Sequence, residues 1–393
     1  MPEIKPMEGN QAVAEAMRQI NPDVVAAYPI TPSTEVVQTF SSFVANGLVD
    51  TNYVAVESEH SAMSACTAAA VAGGRVMNAT SSQGLALMWE ILYITASLRA
   101  PVILTVVNRA LSGNINIHCD HSDGMGARDC GWVQLYGENV QEGYDNLLQA
   151  VRIGEALDVR LPVMNCIDGF LVSHSYELLQ VEDDAPVKDF VGPYQAVNPL
   201  LDISHPISIG PLDLWDYYFE HKRGQCDAYP PAKEAILAVG KEFGKTFGRE
   251  YGLMEEFMLE DAELAVVALG STAGVAKVAV ESLREDGVKA GLLKLRAFRP
   301  FPAAEIAAAL QGKKAIAVFD RAISFGAASG PLFSEVAAAL YTAGQQIPAL
   351  SVLYGLGGRE ITPEQISGVF RQLPEVASGG QPADPVLFLG VRE

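Results

Sequence analysis

The sequence is short of several features that mark large classes of protein. No window approaches the roughly 20 uninterrupted apolar residues that a membrane-spanning helix needs. Cysteine is scarce and odd in number: Cys66, Cys119, Cys130, Cys166 and Cys226 in 393 residues, with no C-x-x-C pair. Such a set reads as reduced thiols inside a cell. It leaves this chain alone unable to ligate an iron–sulfur cluster or a structural zinc in the usual ways. Basic residues are outnumbered, 27 Lys and Arg against 47 Asp and Glu, for a net charge of −20. That balance argues against a nucleic-acid face and against adhesion to an anionic membrane. The opening MPEIKPMEGN has neither the basic nor the apolar region of a signal peptide, so a cytoplasmic protein is expected. No Gly-rich nucleotide fingerprint follows any strand-like run, which weighs against a lone dinucleotide-dependent dehydrogenase. Low-complexity tracts and short repeats are missing too.

What remains is ample for a core. Apolar residues make up 49% of the chain and charged residues 19%, and the length suggests about two or three domains. Over the first 110 residues, short apolar strands alternate with helical periods. Strands are expected at Val24–Tyr28, Tyr53–Val56, Arg75–Ala79 and Val102–Val107, with helices between them. The helix that follows Gln83 is expected to end near Leu98. A helix over Tyr144–Leu157 and a strand over Pro162–Ile167 continue the rhythm. Residues 180 to 231 are rich in Pro and aromatics and show no period. A helix is expected over about 232 to 257. A second, smaller α/β unit follows, with strands at Leu264–Leu269, Gly291–Leu295, Ala315–Asp320 and Ala349–Tyr354.

This alternation implies a parallel sheet covered by helices on both faces. In such sheets ligands bind beyond the carboxyl ends of the strands. Thr31, Glu59, Ser81 to Gln83 and Arg109 all fall just after strands and should converge on one edge. Each also has a plain structural reading. Thr31 and Pro32 suit an N-cap and first helical position. Glu59 suits the positive end of a helix. Arg109 must be solvated or paired: a carboxylate ligand and a structural ion pair are equally compatible. His118, Cys119, Asp120, His121 and Asp123 have metal-ligand chemistry but lie on an irregular Gly-rich loop, so a polar loop bordering a pocket is expected and no metal is assigned. Gly270-Ser271-Thr272 is taken as structural.

A string of motifs is more specific: YPITPST at 28 to 34, ESEHSA at 57 to 62, TSSQGLALM at 80 to 88, NRALSG at 108 to 113 and HSDGMGARDCGWVQL at 121 to 135. With KLRAFRPF at 294 to 301, FDRA at 319 to 322 and YGLGGRE at 354 to 360, they cover nearly the whole chain. Together they closely resemble the α subunit of 2-oxoacid:ferredoxin oxidoreductases, most of all those acting on pyruvate. The resemblance implies a pyrimidine-type thiamine-diphosphate-binding domain over 1–231, a linker helix over 232–260 and a transketolase C-terminal-like α/β domain over 261–393. It implies coenzyme A-dependent, reversible oxidative decarboxylation of a 2-oxoacid. Glu59 then matches the glutamate that hydrogen-bonds the pyrimidine N1′. Thr31 and Arg109 match residues on the oxoacid. Tyr28, Pro29, Ser82 and Gln83 fall with the cofactor, and His118 with the substrate.

The same resemblance implies partners. The motif that would carry Mg2+ and diphosphate is missing here, as is a cysteine quartet for [4Fe–4S] clusters. Both are expected on other chains: a β subunit, γ and ferredoxin-like δ subunits, and ferredoxin as acceptor. Branched-chain, aryl or other 2-oxoacids remain open as substrates. So do a non-redox thiamine-dependent transferase half and a non-catalytic scaffold subunit.

Overall fold

The computed structural model describes residues 3–380 and 386–392. Its frame is two parallel sheets. In the first, strands run side by side in the order Asn52–Ala55, Val24–Ala27, Val76–Thr80, Ile103–Asn108, Val163–Asp168 and Val133–Tyr136, all parallel. The central runs ILTVVN and VMNCID are buried along their whole length, as expected of strands covered on both faces. One face is closed by helices Gly9–Ile20, Thr34–Ala45 and Val140–Glu155. Helices Glu59–Ala72 and Trp89–Ser97 close the other.

The second sheet orders Val386–Leu389, Ala349–Tyr354, Ala315–Asp320, Leu264–Leu269 and Ala290–Leu295 in parallel. Met254–Phe257 adds an antiparallel edge. A short strand, Ala297–Arg299, leaves this unit and pairs antiparallel with Val133–Tyr136 of the first sheet. The two halves therefore share backbone hydrogen bonds as well as side-chain packing.

The structure departs from the sequence reading in four places. The helix expected over 232 to 257 runs Tyr229–Phe247, ended by Gly248 at φ 80. Met254–Phe257 is strand instead, because Glu255 turns to Lys277 and Lys294 of the second unit at 2.9 and 3.2 Å. The helix after Gln83 is two short ones, Ser82–Leu87 and Trp89–Ser97, meeting at Met88. Three strands have no signal in the sequence reading: Val133–Tyr136 inside the polar loop region, and Glu3–Glu8 with its antiparallel partner Tyr176–Val181. The aperiodic stretch holds helices Asp184–Val191 and Tyr218–Cys226. Between them runs an arm whose apolar side chains face outward: Ile203 is 94% exposed and Trp215 92%. Among the described residues no helix is long and apolar enough to cross a membrane.

The helix Tyr229–Phe247 docks through a glycine. A Cβ on Gly240 would lie 1.8 Å from the carbonyl oxygen of Tyr251. Gly240→Ala is therefore expected to cost about 1–3 kcal/mol through overpacking. A urea titration read by fluorescence checks this; an unchanged midpoint would show that the turn at Tyr251 yields freely.

Candidate active site

Four segments meet at the carboxyl edge of the first sheet. Strand Val24–Ala27 feeds the turn through Tyr28, Pro29 and Thr31, all exposed. Here the capping expectation fails. Helix Thr34–Ala45 starts later, with Ser33 at the N-cap, and Ser33 Oγ donates to the Ile30 carbonyl at 2.8 Å. Thr31 is thus left outside the helix, on the open rim. From the next strand, Glu59 begins helix Glu59–Ala72, and Ser58 caps it by accepting from Ser61 N at 3.2 Å. The Glu59 side chain is buried and makes no hydrogen bond or ion pair among the described residues. Gly84 makes room for it: a Cβ there would sit 2.4 Å from Thr80 Oγ1 and 2.9 Å from Glu59 Oε1. Thr80 Oγ1 is buried on the same side of Gly84 without a partner, and the hydroxyl of the next residue, Ser81, is buried without one as well.

Asp123 ties the third and fourth segments together. One carboxylate oxygen accepts from the backbone N–H groups of Ser82 and Arg109 at 2.9 and 3.0 Å. The other accepts from Asn108 Nδ2 and the Gly124 N–H at 2.8 and 2.7 Å. Burial pushes this carboxyl up to about 6, while its four donors pull the other way. Ser82 is held at φ 46, and its Oγ lies within hydrogen-bond distance of the Ala110 carbonyl at 2.5 Å and of Gln83 Oε1 at 2.6 Å, with one proton to give to either. Sequence reasoning counted Asp123 among loop residues with ligand chemistry. Its actual work, receiving backbone amides from two strand ends, depends on contacts no local pattern displays.

Arg109 is brought to Thr31. Its Nη1 donates to the Thr31 carbonyl at 2.9 Å and its Nε to the Asn116 carbonyl at 3.0 Å. The guanidinium is buried and has no carboxylate within ion-pair range among the described residues. Burial pushes its pKa below the ordinary value, offset in part by the Asp123 charge. A buried cation with neutral partners on one side only is a ready receptor for an anionic group. His118 stands on the rim, exposed, its Nδ1 3.2 Å from Asn116 Oδ1.

Beneath this rim the two sheets join. Asp168, ending strand Val163–Asp168, receives Arg321 Nη1 at 3.0 Å, His121 Nε2 at 2.7 Å, and the Ser271 N–H and Oγ at 3.1 and 2.5 Å. Burial alone would raise this carboxyl, yet His121 and Arg321 hold it well below the usual carboxylate range. Gly357 and Gly358 press on the loop above: the Gly357 carbonyl accepts from Asn116 Nδ2 at 3.1 Å, and the Gly358 N–H donates to the Cys119 carbonyl at 2.6 Å. Cys119, His121 and Asp168 lie close enough to share a metal ion, as do Glu138, Glu142 and Glu255. The first group already holds the Arg321 cation, and burial pushes the Cys119 thiol well up, away from the thiolate a metal needs. The second surrounds Lys294 and Lys277.

Residues 15–241 match the family described as pyruvate flavodoxin/ferredoxin oxidoreductase, thiamine diphosphate-binding. Residues 262–366 match pyruvate:ferredoxin oxidoreductase core domain II. Pyruvate synthase subunit PorA of Thermotoga maritima is 53% identical over 98% of this chain and 97% of its own. PorA of Methanocaldococcus jannaschii is 41% identical over 100% and 99%. Ketoisovalerate oxidoreductase subunit VorA of Pyrococcus horikoshii is 40% identical over 96% and 95%. A solved 2-oxoglutarate:ferredoxin oxidoreductase from Magnetococcus marinus, with 2-oxoglutarate, coenzyme A and succinyl-CoA bound, has a TM-score of 0.73 at 20% identity. It matches 94% of this chain, which spans 65% of that longer one. A split-gene transketolase shares the fold with a TM-score of 0.54 at 11% identity, over 95% and 100% of the two chains.

Fold and site together define a subunit built on the α/β architecture of thiamine-diphosphate enzymes. The chain belongs to the pyruvate flavodoxin/ferredoxin oxidoreductase family and is a subunit of a 2-oxoacid:ferredoxin oxidoreductase.

The Asp168 joint makes a pH-resolved prediction. A carboxylate with a depressed pKa stabilises the fold above its unfolded value, and that contribution fades as pH falls through the native one. Asp168→Asn, which leaves Arg321 without its counter-charge, should cost about 3–5 kcal/mol at pH 7. The difference from wild type should persist down to about pH 4, near the unfolded carboxylate value, and narrow only below it. Thermal melts across a pH series measure this; a difference that closes above pH 5 would remove Asp168 from its place at the joint.

Proposed function

We propose that this chain is the α-type subunit of an enzyme that converts pyruvate and coenzyme A to acetyl-CoA and CO2, passing two electrons one at a time to ferredoxin, reversibly. The observation that carries the proposal is the pairing, on one sheet edge, of a buried carboxylate and a buried guanidinium that both lack partners of opposite charge. The carboxylate fits a pyrimidine ring nitrogen, since Glu59 is buried without a partner and Gly84 leaves space next to its Oε1 and the unsatisfied Thr80 Oγ1. The guanidinium fits the carboxylate of a 2-oxoacid.

Glu59 would hold the pyrimidine ring through a hydrogen bond between its carboxyl oxygen and N1′, fixing the ring's tautomer and angle. Thiamine diphosphate, when bound, supplies the carbon nucleophile for the 2-oxo group and the electron sink for the charge left as CO2 departs. Arg109 and Thr31 orient the substrate carboxylate. Because that carboxylate leaves as CO2, Arg109 acts by orientation more than by tight ground-state binding. Tyr28, Pro29, Ser82 and Gln83 border the cofactor, and His118 borders the substrate.

The other parts belong to partner chains. A β subunit supplies the Mg2+ and diphosphate ligands and a [4Fe–4S] cluster. The γ and ferredoxin-like δ subunits complete a cytoplasmic complex that reduces ferredoxin. The outward-facing arm with Ile203, Trp215 and Phe219 supports this, since apolar surface of that extent marks an interface. The 40% identity to the ketoisovalerate subunit favours a second reading, the same chemistry on a branched-chain acid.

Anaerobic assay of the native complex decides between them. Coenzyme A-dependent viologen reduction is expected with pyruvate ahead of 2-oxobutyrate, 2-oxoisovalerate, 2-oxoglutarate and phenylglyoxylate. In the same complex Glu59→Gln should lower kcat about 100-fold or more, the scale of lost general acid–base catalysis. Near-wild-type turnover by this variant would remove Glu59 from the mechanism. Arg109→Lys should lower kcat/KM for the oxoacid by about 10-fold, chiefly through kcat, because a lysine cannot reproduce the planar fork that orients the carboxylate. An unchanged kcat/KM would break the assignment of the substrate carboxylate.

A further inference from the structure

The turn after strand Val163–Asp168 is strained. Leu171 N–H donates to the Gly169 carbonyl at 2.8 Å, closing a γ-turn on Phe170 with φ 62. That hand of γ-turn is rare and costly for a bulky L-residue. Gly169 explains where the turn sits: its N–H donates to the Asn108 carbonyl at 3.0 Å, and a Cβ on it would lie 2.9 Å from Pro32. Phe170 therefore follows directly on a point wedged between the Thr31–Pro32 turn and the Asn108–Arg109 strand end.

The strain is held by packing on both sides. The Phe170 ring stacks on His118 with centroids 5.0 Å apart and on His174 at 4.6 Å. The Phe170 N–H donates to Ser173 Oγ at 2.8 Å, and Ser173 Oγ lies 2.8 Å from His174 Nδ1. His118 is fixed in turn: its carbonyl accepts from Ala110 N–H at 3.0 Å, and its N–H donates to Asn116 Oδ1 at 2.7 Å. Gly358 lies against its Cβ. Asn116 also receives Arg109 Nε. A half-buried aromatic ring in an unfavourable backbone conformation, clamped to the loop that carries Arg109, is the kind of strain that persists at ligand clamps.

We propose that the Phe170–His118 stack is the wall against which the side chain of the oxoacid packs, and that its bulk sets which oxoacid is preferred. This rests on the reading of Arg109 as the carboxylate receptor. Relatives named for pyruvate and for ketoisovalerate are each about 40% identical to this chain over nearly its full length. Overall identity therefore does not separate the two acids, and the choice falls to side chains around the substrate; Phe170 is linked to the Arg109 receptor through His118 and Asn116. Removing it opens volume on the scale of the extra methyl groups of a branched acid, which apolar pockets discriminate by roughly 10–200-fold.

Phe170→Gly tests this without penalty to the turn, because glycine accepts φ 62. His118→Ala removes the other half of the wall from an exposed position. In the native complex, kcat/KM for 2-oxoisovalerate relative to pyruvate should rise about 10-fold or more in Phe170→Gly and in the same direction in His118→Ala, mainly through KM. An active complex in which both variants keep the wild-type ratio overturns the wall and leaves the functional reading intact. A wild-type complex inactive on every 2-oxoacid overturns the reading and the wall with it.

Discussion

Two parallel sheets that meet carboxyl end to carboxyl end must neutralise whatever charge lies at their joint, and here that charge is Asp168. It is fully buried, so an unpaired carboxylate would cost several kcal/mol. Arg321, His121 and Ser271 supply the answer, one from each of three segments. Much of the site hangs from this arrangement. His121 begins the turn that places Asp123, and Asp123 fixes Ser82 and Arg109. Arg321 follows the strand of the second sheet, and its carbonyl accepts the His121 N–H at 2.8 Å. The second sheet is thus part of the active-site frame although it supplies none of the residues proposed to touch cofactor or substrate.

Strand ends are readable where parallel strands covered on both faces leave near-continuous apolar runs: Ile103–Asn108, buried throughout, places Arg109, and Val24–Ala27 places Thr31, whereas the strand ahead of Glu59, Asn52–Ala55, is an exposed edge read from its short apolar segment. The unread elements lack that signal. Glu3–Glu8 and Tyr176–Val181 are only partly buried, mixed in polarity and separated by most of a domain, so only their pairing defines them. Met254–Phe257 reads MEEF, composed largely of good helix formers. Its strand conformation is set by Lys294 and Lys277, which meet Glu255 from the neighbouring elements. Local propensity yields there to a buried charge that needs counter-charges.

In the site, the sequence exposes the residues whose chemistry is unusual for their position and hides those that act by placement. Arg109 at the end of a wholly buried apolar strand is such an anomaly; Glu59 sits where a helix start favours an acid, and only its burial without a partner sets it apart. Asp123 looks like any acid on a polar loop. Phe170 looks like any apolar residue after a strand; its meaning lies in a backbone angle and two ring contacts that no spacing rule reports. His121, grouped with metal-type ligands by residue type alone, spends its Nε2 on Asp168.

The same sheet edge holds groups that this chain leaves uncompensated. Glu59 and Arg109 are desolvated without charge partners, and Thr80 and Ser81 hold buried hydroxyls without hydrogen bonds. In the chain by itself each of these groups costs free energy. A ligand that supplies a ring nitrogen to the carboxylate and an anion to the guanidinium returns that cost on binding, so affinity arises from strain already present rather than from rearrangement. The frame that tolerates the cost is rigid for the reason given above: the strand ends are tied to one another by Asp123 and to the second sheet by Asp168. A looser joint would let Glu59 and Arg109 relax toward solvent or toward each other. The preorganised polarity on which orientation of the substrate depends would then be lost.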